Sequence, residues 1–298
     1  ALLYTEMVTA PALVRGNARH LLQFDDVEHP VALQLGGSDP HELAEAARMG
    51  EAEGYDEINL NVGCPSDRVQ SGAFGAVLMK TPDLVARCVE AMQRGVDVPV
   101  TVKCRIGVDY QDPATVVPHF LNEMRKSGVT RVAVHARKAW LDGLSPKENR
   151  DIPPLDYPLV RSMKDAFADL HMSLNGGVDT LEAAASHLGN GFDGAMIGRA
   201  AYHAPWDILG NADALIFGAD NPLRTRHDAA TAMIPYIERH LAAGGRLHNV
   251  TRHMLGLFTG RPGARIWRRT RSTEGVKDGA GVEVVAQALA QVPRGLAA

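Results

Sequence analysis

The sequence predicts an α/β fold: a (β/α)8 TIM barrel followed by a small C-terminal helical domain. Three observations predict it. Short β-type runs alternate with helical stretches over the first two thirds of the chain. Polar residues or glycines cluster at the ends of these runs, as in a barrel whose βα loops all contribute to one site. Beyond about residue 210 the strand pattern stops and only helical periodicity continues.

The expected strands are 2–8 (LLYTEMV), 31–37 (VALQLGG), 57–63 (EINLNVG), 99–107 (PVTVKCRIG), 131–136 (RVAVHA), 171–177 (HMSLNGG) and 194–200 (GAMIGRA). Between them, 39–54 reads as a helix capped by Asp39 and stopped at Gly54. The stretch 81–95 repeats that grammar, with Thr81 as cap, Pro82 at the first helical position and Gly95 as the stop. A third helix covers 179–191. Strands alternating with helices imply βαβ units and a parallel sheet. A doubly wound sheet would gather its ligand groups at one switch point. Here Gln34, Asn61, Lys103, His135, Asn175 and Arg199 lie toward the C-terminal ends of six different runs. Seven strands are visible and the barrel needs eight, so the first is expected to precede residue 1. Helices are expected over 225–245, 248–260 and 280–292, and the domains over 1–215 and 216–298.

Composition is that of a globular protein, with 45% hydrophobic and 22% charged residues in 298. No apolar run approaches the roughly 18 residues that cross a bilayer, and no signal peptide opens the chain. A cytoplasmic, monomeric protein is expected. Cys64, Cys88 and Cys104 neither build a disulfide framework nor match a metal pattern, so no metal is expected. The net charge of −4 hides a split: residues 1–223 carry 19 basic against 30 acidic side chains, and 224–298 carry 12 against 5. Arg246 to Arg271 includes seven arginines and no acid. That is the footprint of a polyanion partner, set against the plainer reading of a solvated helix face.

Asn175-Gly176-Gly177 and Gly198-Arg199 end the last two runs. Either motif alone is a tight strand-to-helix turn. Together they stand where barrels bind phosphate. Lys103 at the barrel mouth needs an anionic partner; His135 has the same placement, and Gln34 offers a donor and an acceptor to an imide edge. A lysine, a glutamine and a terminal phosphate site describe a flavin mononucleotide pocket. Cys64, between Gly63 and Pro65, sits in the loop after the third run. A thiol protonated near neutral pH can act as a general acid, against the competing readings of nucleophile, metal ligand and buried filler. Packing is the usual role of cysteine and suits Cys88 and Cys104.

The segments EINLNVGCPSDRVQSGAFGAVLMK, VTVKCRIG, VHARKAWLDGLSPKENRDIPPLDY and LNGGV…MIGRA resemble the tRNA-dihydrouridine synthases, in particular the bacterial A subfamily. The resemblance covers nearly all of 1–210 and, more loosely, the helical tail. It implies an FMN enzyme that takes hydride from NADPH and reduces the C5–C6 double bond of uracil at positions 20 and 20a of the tRNA D-loop. Cys64 matches the cysteine that protonates C5. Gln34, Lys103, His135, Asn175, Gly176, Gly177, Gly198 and Arg199 match flavin contacts, and Asn61 a contact to the target nucleotide. The tail matches a tRNA-binding domain. The family's first strand, with an A-P-M motif that contacts the flavin, has no counterpart here, and a sequence that starts late is the expected reason. Arg137, Lys138, Lys147 and Arg150 would hold phosphates near the mouth, and Arg265, Arg268, Arg269 and Arg271 phosphates farther out. The rival readings are a small-molecule FMN oxidoreductase of the dihydroorotate or dihydropyrimidine type, a phosphate-binding barrel lyase or isomerase, and an RNA-binding protein without catalysis.

Overall fold

Short strand runs, most of them separated by helices, build one parallel sheet. The computed structural model describes residues 1–66 and 74–294, so 67–73 of the cysteine-loop motif lies outside it. The strands are β1 (Leu3–Tyr4), β2 (Val8–Thr9), β3 (Val31–Gly36), β4 (Glu57–Val62), β5 (Val100–Arg105), β6 (Arg131–His135), β7 (His171–Asn175) and β8 (Gly194–Met196). Every pairing is parallel, and from β3 to β8 the order in the sheet is the order in the chain. That order is the barrel's and not the doubly wound fold's. β1 and β2 both pair with β3, one after the other along its length. The strand expected over 2–8 is therefore two short pieces interrupted at Thr5–Met7. Among the described residues no ladder joins β8 to β1 or β2.

The helices form where the caps predict. The Asp39 side chain accepts the Glu42 N–H at 2.9 Å, opening the helix Pro40–Ala52. Pro82 opens Pro82–Gln93 without a side-chain bond from Thr81. The even residues of β4 and β5, Ile58, Leu60, Val62, Val102 and Cys104, are fully buried in the main hydrophobic core. Cys88 shares that core, and burial pushes the Cys88 and Cys104 thiols up to about 12. Both are packing residues.

The chain divides into two compact units, Ala1–Gly177 with Ser186–Met196, and Val178–Ala185 with Ile197–Ala298. The second has its own core of Ile237, Leu247, Phe258, Trp267, Val285 and Ala288. The helix expected over 225–245 is two, Arg226–Ala232 and Ile234–Ala242, because Pro235 cannot continue the first. The stretch 248–260 is helical only at its start, in Leu247–Thr251 and a 3-10 turn at Arg252–Met254. A further helix, Ala264–Thr273, lies outside the expected set. Among the described residues no helix is long and apolar enough to cross a membrane.

Candidate active site

The odd residues of β4 and β5 carry a polar column through the sheet's inner face. Arg131 pairs with buried Glu57 at 2.6 Å, and Glu57 accepts from Tyr4 (2.7 Å) and Thr101 (2.6 Å). Asn59 donates to Thr101 at 2.8 Å and accepts from the Gln34 amide at 2.9 Å. Asn61 in turn donates to Gln34 Oε1 at 2.7 Å. The column satisfies polar groups whose burial would otherwise cost stability. It also commits one donor and one acceptor of Gln34, leaving one hydrogen and one lone pair for a ligand.

At the top of the column stands Cys64. Asn61 Oδ1 accepts both the Gly63 N–H (3.0 Å) and the Cys64 N–H (2.9 Å). The Cys64 carbonyl accepts from Ala76 at 2.9 Å. Asn61 is thus the brace that aims the cysteine loop, with one amide hydrogen still uncommitted. The thiol itself is half-buried, 3.5 Å from Ser66 Oγ.

Arg105 is the residue sequence reading missed. Buried at 2% exposure, it donates from Nε to Gly63 O (2.9 Å) and from Nη1 to Lys138 O (2.9 Å) and Asn149 O (3.0 Å). One guanidinium therefore ties the cysteine loop after β4 to the loop after β6. A signal was present: in Thr101-Val-Lys-Cys-Arg105 the strict alternation puts Arg105 on the same inner face as Lys103.

Register sets the remaining groups side by side. Lys103 pairs with Asn61 across the ladder, Arg105 with His135, and His135 with Asn175. Burial, with Arg105 adding repulsion, pulls the Lys103 ammonium down to about 8. Burial likewise pulls Arg105 down to about 10, while Cys64 favours its charged form and Arg150 and Arg137 oppose it. Among the described residues no carboxylate pairs with Lys103, Arg105, Arg137 or Arg150. Such a cluster is built to receive negative charge.

The glycine turn after β7 has its own steric reason. Gly176 (φ +99°) and Gly177 (φ +69°) lie in the left-handed region, and a Cβ on Gly176 would sit 2.4 Å from the His135 ring. Asn175 Nδ2 donates to Met196 O at 2.7 Å, and among the described residues its oxygen accepts no hydrogen bond. Gly198 and Arg199 belong to the second unit, where both are exposed and Arg199 opens the short helix Arg199–His203.

Against known proteins, the family model described as "Dihydrouridine synthase (Dus)" matches residues 1–292. This chain belongs to the dihydrouridine synthase family. It is 53% identical over 298 residues to a tRNA-dihydrouridine(20/20a) synthase of Shewanella oneidensis, covering 100% of this chain and 88% of that protein. With one of Vibrio cholerae it shares 55% over 293 residues (98% and 89% of the two chains). With one of Synechocystis it shares 52% over 288 residues (97% and 86%).

Around this candidate site the basic side chains differ in their contacts. Arg137 donates from Nη1 to Pro153 O, and among the described residues its buried Nε has no hydrogen-bond partner, nor has Nε of Arg150. Lys138 lies over the Trp140 ring, 5.5 Å from its centroid, and Lys147 is exposed. In the second unit, Arg265, Arg268 and Arg269 share one exposed face of Ala264–Thr273. Arg271 does not join them. It is 1% exposed, stacks 3.6 Å from the Trp267 ring centroid, and donates to the Thr251 carbonyl at 3.0 Å. Its expected phosphate contact is corrected to a structural role. At helical spacing Arg271 falls four residues after Trp267, on the face that packs inward.

Proposed function

We propose that this protein reduces the C5–C6 double bond of a D-loop uridine in tRNA to 5,6-dihydrouridine, at position 20, 20a or both, acting as a cytoplasmic monomer. Family membership and the tRNA-dihydrouridine(20/20a) synthase names of its relatives support the reaction. The observation that carries the residue assignment is Cys64, braced by Asn61 and by Arg105, itself one of four cations that no described carboxylate neutralises.

That charge pattern fits FMN, whose phosphate and reduced ring are both anionic. Lys103, the free hydrogen and lone pair of Gln34, the Asn175 oxygen and His135 would hold the ring. Gly176 and Gly177 would hold the phosphate. FMN held there, with NADPH as reductant, would supply the hydride chemistry at C6. Cys64 delivers the proton to C5, so the uracil gains both hydrogens and the thiol is left as thiolate. Lys103 and Arg105 stabilise that thiolate until solvent reprotonates it. The target uracil leaves its stack to reach the mouth. Arg137, Lys138, Lys147 and Arg150 hold nearby phosphates, and residues 216–298 form the tRNA-binding domain through Arg265, Arg268 and Arg269.

The test is NADPH oxidation by the flavin-loaded protein with unmodified tRNA, free uracil or orotate as acceptor. Oxidation should require tRNA. Turnover on orotate without tRNA would favour the small-molecule oxidoreductase.

A further inference from the structure

Tyr110 is 91% exposed, the most exposed large hydrophobic side chain among the described residues. It follows β5 by five residues, on the same end of the sheet as Cys64 and Lys103. Its turn is held firmly. Asp109 N donates to Ala139 O (2.8 Å), Ala139 N donates to Gly107 O (2.9 Å), and Gln111 N donates to Val108 O (3.0 Å). The Asp109 carboxylate accepts from Leu141 N–H at 2.8 Å and pairs with Lys80 at 2.7 Å. Asp109 itself adopts φ +49°, a left-handed conformation uncommon outside glycine. A strained, many-bonded turn thus presents an aromatic ring to solvent.

The ring has a backing. Trp140 meets Tyr110 edge-on, with centroids 5.3 Å apart and planes at 85°. Lys138 Nζ lies over that Trp140 ring, and both Trp140 backbone groups are bound by the fully buried Asn149 side chain. Arg105 joins Lys138 O and Gly63 O through one guanidinium, so this ledge is fixed to the loop that aims Cys64. The one carboxylate in the Tyr110 turn, Asp109, is neutralised by Lys80. An exposed ring packed edge-on against a second ring that carries a cation, and fixed in place, is the chemistry of a single-stranded base platform.

Resting on the function proposed above, we propose that Tyr110, backed by Trp140 and Lys138, stacks an RNA base adjacent to the uridine being reduced. Extruding one base strips its neighbour of a stacking partner. Tyr110 replaces it, so the tRNA is held open at the mouth.

The experiment uses flavin-loaded protein and a tRNA transcript with 2-aminopurine at either nucleotide flanking the target uridine. With wild type, binding should quench fluorescence at one flanking position. Tyr110→Ala should lose that quench and raise KM for tRNA about ten-fold. NADPH-driven flavin reduction without tRNA should stay unchanged, and Tyr110→Phe should keep both quench and KM. Equal quench and KM in Tyr110→Ala and wild type would overturn the platform alone. A wild-type dimer that Tyr110→Ala dissolves would overturn it in favour of a second copy on this face. No dihydrouridine from wild type would remove the functional reading and the platform with it.

Discussion

Arg105→Lys separates the shape of the guanidinium from its charge. The wild-type side chain makes three hydrogen bonds, to the carbonyls of Gly63, Lys138 and Asn149, at 2.9–3.0 Å. Hydrogen bonds from a charged donor contribute about 1.5–3 kcal/mol each. A lysine keeps the cation beside Lys103 but cannot span both loops, so it retains one of the three. Losing two costs roughly 3–6 kcal/mol, and relaxation of the loops into water brings the effect toward the lower end. Much of that loss falls on the aim of Cys64. Single-turnover dihydrouridine formation at saturating tRNA should therefore drop about 100-fold, each ten-fold corresponding to about 1.4 kcal/mol. Amide exchange at Gly63, Cys64 and Ala139 should accelerate together, because one tie holds both loops, while circular dichroism keeps the helical signal. A wild-type rate with unchanged exchange would refute the reasoning.

Lys103 makes a pH prediction. Burial holds its folded-state pKa at about 8, below the unfolded value of about 10.4. Between these values the unfolded chain binds more protons, so the contribution of this group to stability rises with pH across that window. Urea unfolding of the flavin-free protein should show a steeper rise over that range in wild type than in Lys103→Met; equal slopes would contradict the placement. Arg265→Glu with Arg268→Glu should weaken tRNA binding and flatten its salt dependence. The log–log slope should fall by about 0.9 for each phosphate that is no longer neutralised. Unchanged affinity and slope in a binding titration would leave that helix face without its assigned partner.

The parallel sheet, the order of its strands and the positions of Lys103 within its strand and of His135 and Asn175 at strand ends are legible in the sequence because alternation and caps are local signals. Arg105 is not. Its function depends on carbonyls at Gly63, Lys138 and Asn149, which only the folded loops bring to one guanidinium. Gln34 and Asn61 read from the sequence as groups facing a ligand. Their hydrogen bonds to each other and to Asn59 are tertiary, though Glu57, Asn59 and Asn61 alternate with Ile58 and Leu60 plainly enough to mark a polar inner face. Arg271 misleads because a run of arginines suggests one surface, while the helix period turns one of them inward against Trp267. The break at Pro235 is visible in the sequence and outweighs the apolar periodicity around it.

We propose that Cys64 delivers the proton to C5 of a D-loop uracil. Mass-spectrometric mapping of unmodified tRNA after incubation with NADPH and the flavin-loaded protein tests it most directly. Wild type should add two hydrogens to uridine at position 20, 20a or both. Cys64→Ala, with flavin and tRNA still bound, should add almost none. Dihydrouridine formed by Cys64→Ala at the wild-type rate would take the proton away from Cys64.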